Sequence, residues 1–296
     1  MKNRLMLMAL FAFTLPLAAL DVDTIAGKRT VFLGDSITQA GQYVVFATYY
    51  LEKLYPKKSF DIYGLGLSSE TLSGLSEQGH AGGAFPRPCL FERFGRLLGR
   101  LKPEIVIACY GINDGIYQPL DSARFAAFKR GVDKLITQGK AGGVKEFILV
   151  TPPIYDFAPK DGVFNYDTVM TEYAACETML KMSQVHVVDL HSAMRKARDA
   201  RTEVFSQDHI HPGEEGHLLM AKTILAAFGV QIPDETPATI KADPLYKMVQ
   251  DKRNLRSDGW MKHIGYTREK NIQPQPLGDV EEKARTLQGM IDALRR

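Results

Sequence analysis

Three histidines lie within nine residues of this 296-residue sequence, in the stretch HIHPGEEGH at 209–217. Imidazole side chains can act as catalytic bases or as metal ligands. A zinc site is not predicted, because the sequence has no H-E-x-x-H motif and no third ligand at a recognisable spacing. His217 falls within a predicted helix, where a structural role is expected, and His209 should point away from His211.

One of these histidines has a carboxylate within reach. Asp208 precedes His211 by three residues, and in a turn its side chain can reach the ring. Pro212 biases His211 towards an extended backbone and allows a helix to begin just after it. The pattern therefore favours an imidazole presented from a loop, with Asp208 as the group that orients it.

Three further candidate groups follow predicted strands. Ser36, in GDS, stands directly before a helix, where it is either a nucleophile or simply a helix cap. Gly66, in GLGLSSE, offers a bare backbone N–H, but the third glycine of a dinucleotide-binding fingerprint is missing and no such cofactor is predicted. Asn113, in YGINDG, is either a turn residue or an amide donor for a developing oxyanion.

Five short apolar runs alternate with helical patterns along the chain. The runs lie at 30–34, 59–66, 104–111, 146–153 and 185–191. They are apolar on consecutive residues, which is typical of strands covered on both faces of a parallel sheet, and the alternation predicts a doubly wound α/β sandwich. In this fold the residues that follow the strands meet at the carboxyl edge of the sheet. A serine esterase requires the groups that are predicted at that edge: a hydroxyl, a bare N–H, an amide and an Asp–His pair.

The two ends of the sequence differ from its middle. The first 20 residues have basic side chains, then an apolar run, then small residues, the layout of a secretory signal peptide cut after Ala19. We therefore expect a periplasmic or extracellular protein, with an uncleaved membrane anchor as the alternative. Residues 21–232 are predicted to form the catalytic domain. A connector and two charged amphipathic helices predict a helical tail over 233–296 that packs on it, with a detached, partner-binding tail as the alternative.

Charge and cysteine content exclude some classes of partner and leave others open. The net charge is +3, from 37 Lys and Arg against 34 Asp and Glu, without a basic block, so neither nucleic acid nor a membrane is a predicted partner after signal cleavage. The oligomeric state is not predicted. Cys109 lies in an apolar run and should be buried, whereas Cys89 and Cys176 could pair in an oxidising compartment.

The candidate groups fall in four blocks that resemble, in order, those of the SGNH (GDSL-type) hydrolases. The blocks are GDSIT at 34–38, Gly66 in GLGLSSE, GIND at 111–114 and DHIH at 208–211. The resemblance covers roughly residues 28–230 and implies a three-layer α/β/α flavodoxin-like fold and ester hydrolysis without a metal or cofactor. One departure is Gly64, which stands where many members of the family carry Asn, at a position that is not catalytic.

The resemblance also implies a role for each group. Ser36 would be the nucleophile, and its backbone N–H would join Gly66 and Asn113 in an oxyanion hole. His211 would be the base and Asp208 the acid that orients it. The substrate would be an ester, of a small molecule or a polysaccharide.

The kind of ester is predicted from the loops around the site. The sequence shows no long apolar lid, and the loop at 77–93 offers His80 and Arg87 beside glycines, which suits a polar ligand better than a lipid tail. Arg87 and Tyr117 are predicted to contact substrate, and a solvated surface arginine is the alternative. We expect Tyr43, Tyr117 and Tyr166 to be exposed, and together with export this favours a carbohydrate O-acetyl esterase. A lipid-type acyl hydrolase (lysophospholipase, thioesterase or arylesterase) and a non-catalytic glycan-binding protein are the alternatives.

Overall fold

A five-stranded parallel sheet forms the centre of the protein, and the computed structural model describes residues 20–295. The strands are β1 (Arg29–Gly34), β2 (Asp61–Gly64), β3 (Ile105–Cys109), β4 (Glu146–Val150) and β5 (Val185–Val188). Their order across the sheet is β2-β1-β3-β4-β5, and every neighbouring pair is parallel. The predicted α/β fold with five parallel strands is confirmed. The predicted signal peptide, up to residue 19, lies outside the described residues.

Ten α-helices and one hairpin surround or follow the sheet in residues 20–295. The helices are α1 (Ser36–Ala40), α2 (Gln42–Leu54), α3 (Leu90–Leu101), α4 (Ser122–Ala141), α5 (Asp167–Thr178), α6 (Leu190–Asp199), α7 (Glu214–Ala226), α8 (Pro237–Lys241), α9 (Pro244–Ile264) and α10 (Val280–Leu294). The hairpin joins β6 (Tyr266–Thr267) to β7 (Asn271–Ile272). The sequence pattern did not predict α6, α8 or the hairpin. Within the same residues, no helix is long and apolar enough to cross a membrane.

The two faces of the sheet carry separate hydrophobic cores. Alternate residues of a strand point to opposite faces, so Phe32 of β1 packs with α2, α6 and α7, whereas Val31 and Leu33 pack with α3, α4 and α5. Helix α9 contributes to both cores, with Tyr246 in the first and Trp260 in the second. The sandwich therefore has three layers. Because the strands are parallel, their carboxyl ends all lie along one edge of the sheet, with β1 and β3 near its middle.

Candidate active site

Ser36 is presented by the tight turn between β1 and α1. Asp35 is the N-cap of α1, because its carboxylate accepts from the backbone N–H of Ile37 at 3.0 Å. The Ser36 hydroxyl is therefore not used for capping, and its Oγ lies 2.8 Å from Nε2 of His211. A side chain at Gly34 would place Cβ 2.7 Å from the carbonyl oxygen of Cys109, so the turn needs glycine there.

His211 and Asp208 form a compact turn across the edge from Ser36. Asp208 Oδ2 lies 2.6 Å from His211 Nδ1, and Oδ1 accepts from the backbone N–H groups of Ile210 at 3.0 Å and His211 at 2.8 Å. With the proton on Nδ1, Nε2 is free to accept from Ser36. Partial burial acts to raise the pKa of Asp208, but the hydrogen bonds from His211 and the turn outweigh it and lower this pKa to about 2.

The histidine loop is anchored by Asp156, a residue that sequence reasoning missed. The buried Asp156 carboxylate accepts from the backbone N–H groups of Phe205 and Ser206. The ring of His209 donates from Nδ1 to the Asp156 carbonyl at 2.9 Å, so it points away from Ser36 as predicted. Asp156 lies six residues beyond β4 and belongs to no recognisable motif. Its anchoring role is visible only from its contacts with Phe205 and Ser206, about 50 positions away in the sequence.

His217 has the structural role that its position predicted. It lies within α7, is 4% exposed, and stacks on Tyr43 with ring centroids 6.1 Å apart. Burial lowers the pKa of His217 to about 4. The three histidines of the stretch therefore have separate environments, and no group of three or more His, Cys, Asp or Glu side chains suited to a metal occurs in residues 20–295.

Two backbone N–H groups and one side-chain amide belong to residues in or next to the turn that carries Ser36. The N–H groups of Ser36 and Gly66 donate to no other residue within 20–295. A side chain at Gly66 would place Cβ 2.3 Å from the backbone nitrogen of Gln39, so glycine permits this close approach to α1. The third group, Nδ2 of Asn113, donates to Asp35 Oδ2 at 3.2 Å. These are the three donors that the sequence predicted for an oxyanion.

The orientation of the Asn113 amide is fixed from its other side. Oδ1 of Asn113 accepts from Arg87 Nη1 at 2.7 Å and from the Tyr117 hydroxyl at 3.1 Å. Arg87 is buried and makes a bidentate pair with Glu77 at 2.6 and 2.7 Å, so it is not a solvated surface arginine. Both residues predicted as substrate contacts thus lie against Asn113, and with its Oδ1 occupied, Nδ2 must face the Ser36 side.

Asp35 adds a buried carboxyl directly behind these donors. Burial raises its pKa to about 7, against the lowering effects of the Ile37 N–H and of His211. A carboxyl that holds its proton near neutral pH carries less negative charge. Its environment therefore weakens the repulsion that an oxyanion forming beside Asn113 would otherwise meet.

Two of the three tyrosines expected at the surface are buried, which corrects that expectation. Tyr43 is 1% exposed and its hydroxyl bonds Thr38 Oγ1 at 2.8 Å, while Tyr166 is 2% exposed and donates to the Ile112 carbonyl at 2.9 Å. Each hydroxyl has a partner inside the protein, which allows the ring to be buried. Tyr117 is partly buried. The rings of Tyr43 and Tyr166 therefore do not form part of a binding surface.

The cysteines do not form a cross-link. Cys109 is buried, as predicted, and Cys89 and Cys176 are both free. The thiol of Cys176 lies 3.1 Å from the carbonyl of Tyr173 in its own helix. No disulfide therefore contributes to the site.

The sequence has relatives in a known protein family and among solved structures. It matches the GDSL-like Lipase/Acylhydrolase family over residues 32–219. No curated protein matches it. The chain is similar to Axe2, an acetylxylan esterase from Geobacillus stearothermophilus, with 21% identity and a TM-score of 0.55 over 71% of this chain and 98% of that one. It is also similar to LAE5, an alpha/beta hydrolase enzyme from the metagenome of Lake Arreo, Spain, with 24% identity and a TM-score of 0.53 over the same shares.

Three of the similar Axe2 structures are described as catalytic mutants. They are altered at a serine, an aspartate and a histidine, and the aspartate precedes the histidine by three residues. At this identity the structural likeness shows the fold. The family match covers more than half of this chain and includes all four sequence blocks. The chain therefore belongs to the GDSL-like Lipase/Acylhydrolase family and is a serine hydrolase that acts on ester bonds.

Proposed function

We propose that the protein is a secreted serine esterase that removes acetyl groups from carbohydrates through an acyl-Ser36 intermediate. The observation that carries this proposal is the unbroken hydrogen-bonded chain from Ser36 through His211 to Asp208 at the carboxyl edge of the sheet. A hydroxyl, an imidazole and a carboxylate hydrogen-bonded in that order are the parts of a nucleophile–base–acid triad. The same spacing of aspartate and histidine in the Axe2 catalytic mutants supports the assignment.

The first half of the reaction forms the acyl-enzyme. Ser36 Oγ attacks the ester carbonyl carbon while its proton passes to Nε2 of His211, and Asp208 stabilises the imidazolium. The negative charge on the carbonyl oxygen is met by the N–H groups of Ser36 and Gly66 and by Nδ2 of Asn113, which has a second N–H besides the one it donates to Asp35. The bond from carbon to the alcohol oxygen then breaks, and that oxygen takes the proton from Nε2.

The second half of the reaction releases the acid. Nε2 of His211 accepts a proton from a water molecule, whose oxygen attacks the carbonyl carbon of acyl-Ser36. The bond from that carbon to Oγ breaks, and Oγ recovers its proton from Nε2. The products are the deacetylated alcohol, acetic acid, which releases its proton to the solvent as acetate forms, and the enzyme in its starting state.

The openness of the site favours a small acyl group on a bulky alcohol. The side chains of His211 and Asp208 are 49% and 53% exposed. A triad at the surface can approach an ester on a polymer, whereas a fatty acyl chain needs an enclosed apolar channel. The fold shared with acetylxylan esterases supports the same choice, and the signal-peptide pattern of the first 20 residues supports export to where such polymers occur.

The first test is hydrolysis of 4-nitrophenyl esters of two, four, eight and twelve carbons. We expect activity on the acetate alone, and Ser36→Ala should lower kcat by roughly 10⁴-fold or more. A matched control is Ser122→Ala, because Ser122 is also the first residue of a helix and also follows a capping aspartate, Asp121. It should retain wild-type activity.

Other results would reject the proposal in recognisable ways. Activity that rises with chain length would make the protein a lipid-type acyl hydrolase. Full activity in Ser36→Ala would reject serine catalysis. Absence of turnover on every ester would favour a glycan-binding protein that uses the same cleft.

A further inference from the structure

The hairpin β6–β7 of the C-terminal tail borders a pocket beside the proposed oxyanion hole. The pocket has a volume of about 350 Å³. One wall is formed by Gln39, Leu67 and Ser68, and the other by hairpin side chains including Arg268 and Lys270. Gln39 lies on α1 one turn after Ser36, which places it on the same side of the helix. The pocket therefore lies beside the helix that begins with Ser36 and beside the loop that follows Gly66.

Hydrogen bonds hold the first wall against the catalytic turn. Gln39 Oε1 accepts from the backbone N–H and from the hydroxyl of Ser68, both at 2.7 Å. Ser68 follows Gly66 by two residues, and Gly66 itself lies against the backbone of Gln39. A ligand in the pocket would consequently rest on the same loop that supplies an oxyanion donor.

Arg268 joins the second wall to the first. Its Nε donates to the Ser68 carbonyl at 3.2 Å, and its guanidinium lies 4.8 Å from the ring centre of Phe85. Lys270 is exposed, and its ammonium makes no hydrogen bond or ion pair within residues 20–295. Arg268 also pairs with Glu269, which lines the same pocket. The hairpin thus lines the pocket with one paired cation, its carboxylate partner and the ammonium of Lys270.

The groups in the pocket suit a sugar better than an acyl chain. They combine an amide, a hydroxyl, two cationic donors and the Glu269 carboxylate with the half-buried ring of Tyr266. Sugars bind to such mixtures of hydrogen-bond donors and acceptors with one apolar face. In an acetate ester the acyl part beyond the carbonyl is a single methyl group. Whatever extends from Ser36 into this pocket must therefore belong to the alcohol part of the ester.

We propose that the hairpin of the tail forms a subsite for a sugar unit of the alcohol part of the substrate, so that the tail helps to select the substrate. This inference rests on the proposed carbohydrate esterase function. It assigns to residues 266–272 a role that the four sequence blocks do not cover. It predicts that the tail affects reaction with oligosaccharides and leaves reaction with small activated esters unchanged.

The test compares two substrates in hairpin variants of the full chain. Acetylated xylooligosaccharides are long enough to reach the pocket, whereas 4-nitrophenyl acetate is not. For Arg268→Ala we expect KM for the oligosaccharide to rise about tenfold, the effect of losing one hydrogen bond from a charged donor. Lys270→Ala should raise this KM by a smaller factor. Both variants should keep kcat/KM for 4-nitrophenyl acetate within about twofold of wild type, since neither touches the reacting atoms.

A control and three contrary outcomes complete the test. Lys283→Ala removes a lysine from α10 of the same tail, paired only with Asp279, and should leave both substrates unaffected. An unchanged KM for the oligosaccharide in both hairpin variants would overturn the subsite. Equal losses on both substrates would overturn it too, since Arg268 would then support the Gly66 loop alone. Wild-type protein that hydrolyses 4-nitrophenyl acetate but no acetylated oligosaccharide would reject the proposed function and the subsite with it.

Discussion

The Asn113 amide shows how single atoms set the chemistry of the site. An amide can rotate by half a turn and exchange its oxygen and nitrogen, and only one orientation offers a donor to an oxyanion. Arg87 and Tyr117 both donate to Oδ1, which excludes the other orientation. Preorganised donors stabilise a transition state because they need not reorient during the reaction. These two residues act as positioning residues for Asn113 in the proposed mechanism.

Removing the Tyr117 hydroxyl should loosen the orientation of the Asn113 amide without disturbing the fold. In Tyr117→Phe the ring keeps its packing on Tyr166, with centroids 5.0 Å apart, and loses only the hydroxyl. We expect kcat for 4-nitrophenyl acetate to fall about fivefold with little change in KM, since the lost hydrogen bond is worth about 1 kcal/mol. Steady-state kinetics at neutral pH measure both constants.

A second tyrosine gives the control for this substitution. Tyr246 lies in α9, and its hydroxyl makes no hydrogen bond within residues 20–295, so Tyr246→Phe should leave kcat and KM unchanged. A rise in KM with unchanged kcat in Tyr117→Phe would contradict the positioning role. It would support the direct substrate contact that the sequence predicted for Tyr117.

The sequence predicts the residues with distinctive chemistry and gives no sign of those that only support them. Ser36 and His211 are predicted because each follows a strand or a loop signal and belongs to a short block. Asp156 was missed because a carboxylate that accepts from two distant backbone N–H groups has no local signature. Tyr43 was wrongly expected at the surface, since its internal hydroxyl partner depends on how α1 and α2 meet.

At the scale of elements, helix α1 carries the proposed nucleophile but depends on its neighbours for stability. It has only five residues, too few to be stable alone, yet Ser36 is its first residue. Asp35 caps its N-terminus, and Arg253 of α9 donates from Nη2 to the carbonyls of Thr38 and Gln39, each at 2.8 Å, at its C-terminus. A cation at this end satisfies otherwise unpaired carbonyls and interacts favourably with the helix dipole.

Arg253 should therefore contribute to both stability and activity. Its side chain is buried and also donates to the carbonyl of Ala40, so Arg253→Met removes three hydrogen bonds to α1 and leaves these carbonyls without that donor. We expect the free energy of unfolding to fall by about 3 kcal/mol and kcat for 4-nitrophenyl acetate to fall with it, because α1 carries Ser36. Urea unfolding and kinetics at a temperature where the variant is fully folded measure the two effects separately.

A lysine of the same helix gives the comparison. Lys247 is exposed and pairs with Asp251 one turn along α9, so Lys247→Met should change the free energy of unfolding by less than about 0.5 kcal/mol. If Arg253→Met unfolds at the urea concentration of wild type, the contact with α1 does not stabilise the protein. The sequence could predict α9 from its periodicity, but not a contact between residues more than 200 positions apart.

At the scale of the whole molecule, the buried side chains of Asp35 and His217 make the free energy of unfolding depend on pH. Asp35 has a pKa raised to about 7, so the native state holds this proton at higher pH than the unfolded chain, and Asp35 stabilises the fold as pH falls. His217 has the opposite sign. The net slope is the sum of such terms, and a single wild-type curve cannot separate them.

Comparing wild type with His217→Phe isolates the histidine. The ring of His217 stacks on Tyr43 and its Nδ1 has no hydrogen-bond partner within residues 20–295, so phenylalanine can occupy the site. Burial lowers the pKa of His217 from 6.5 to about 4, so between these values the unfolded chain binds a proton that the native state does not. The free energy of unfolding of wild type should therefore fall by up to about 3 kcal/mol more than that of His217→Phe between pH 7 and pH 4. Urea unfolding at intervals of one pH unit measures this difference, and parallel curves for the two proteins would show that native His217 takes up its proton as readily as the unfolded chain.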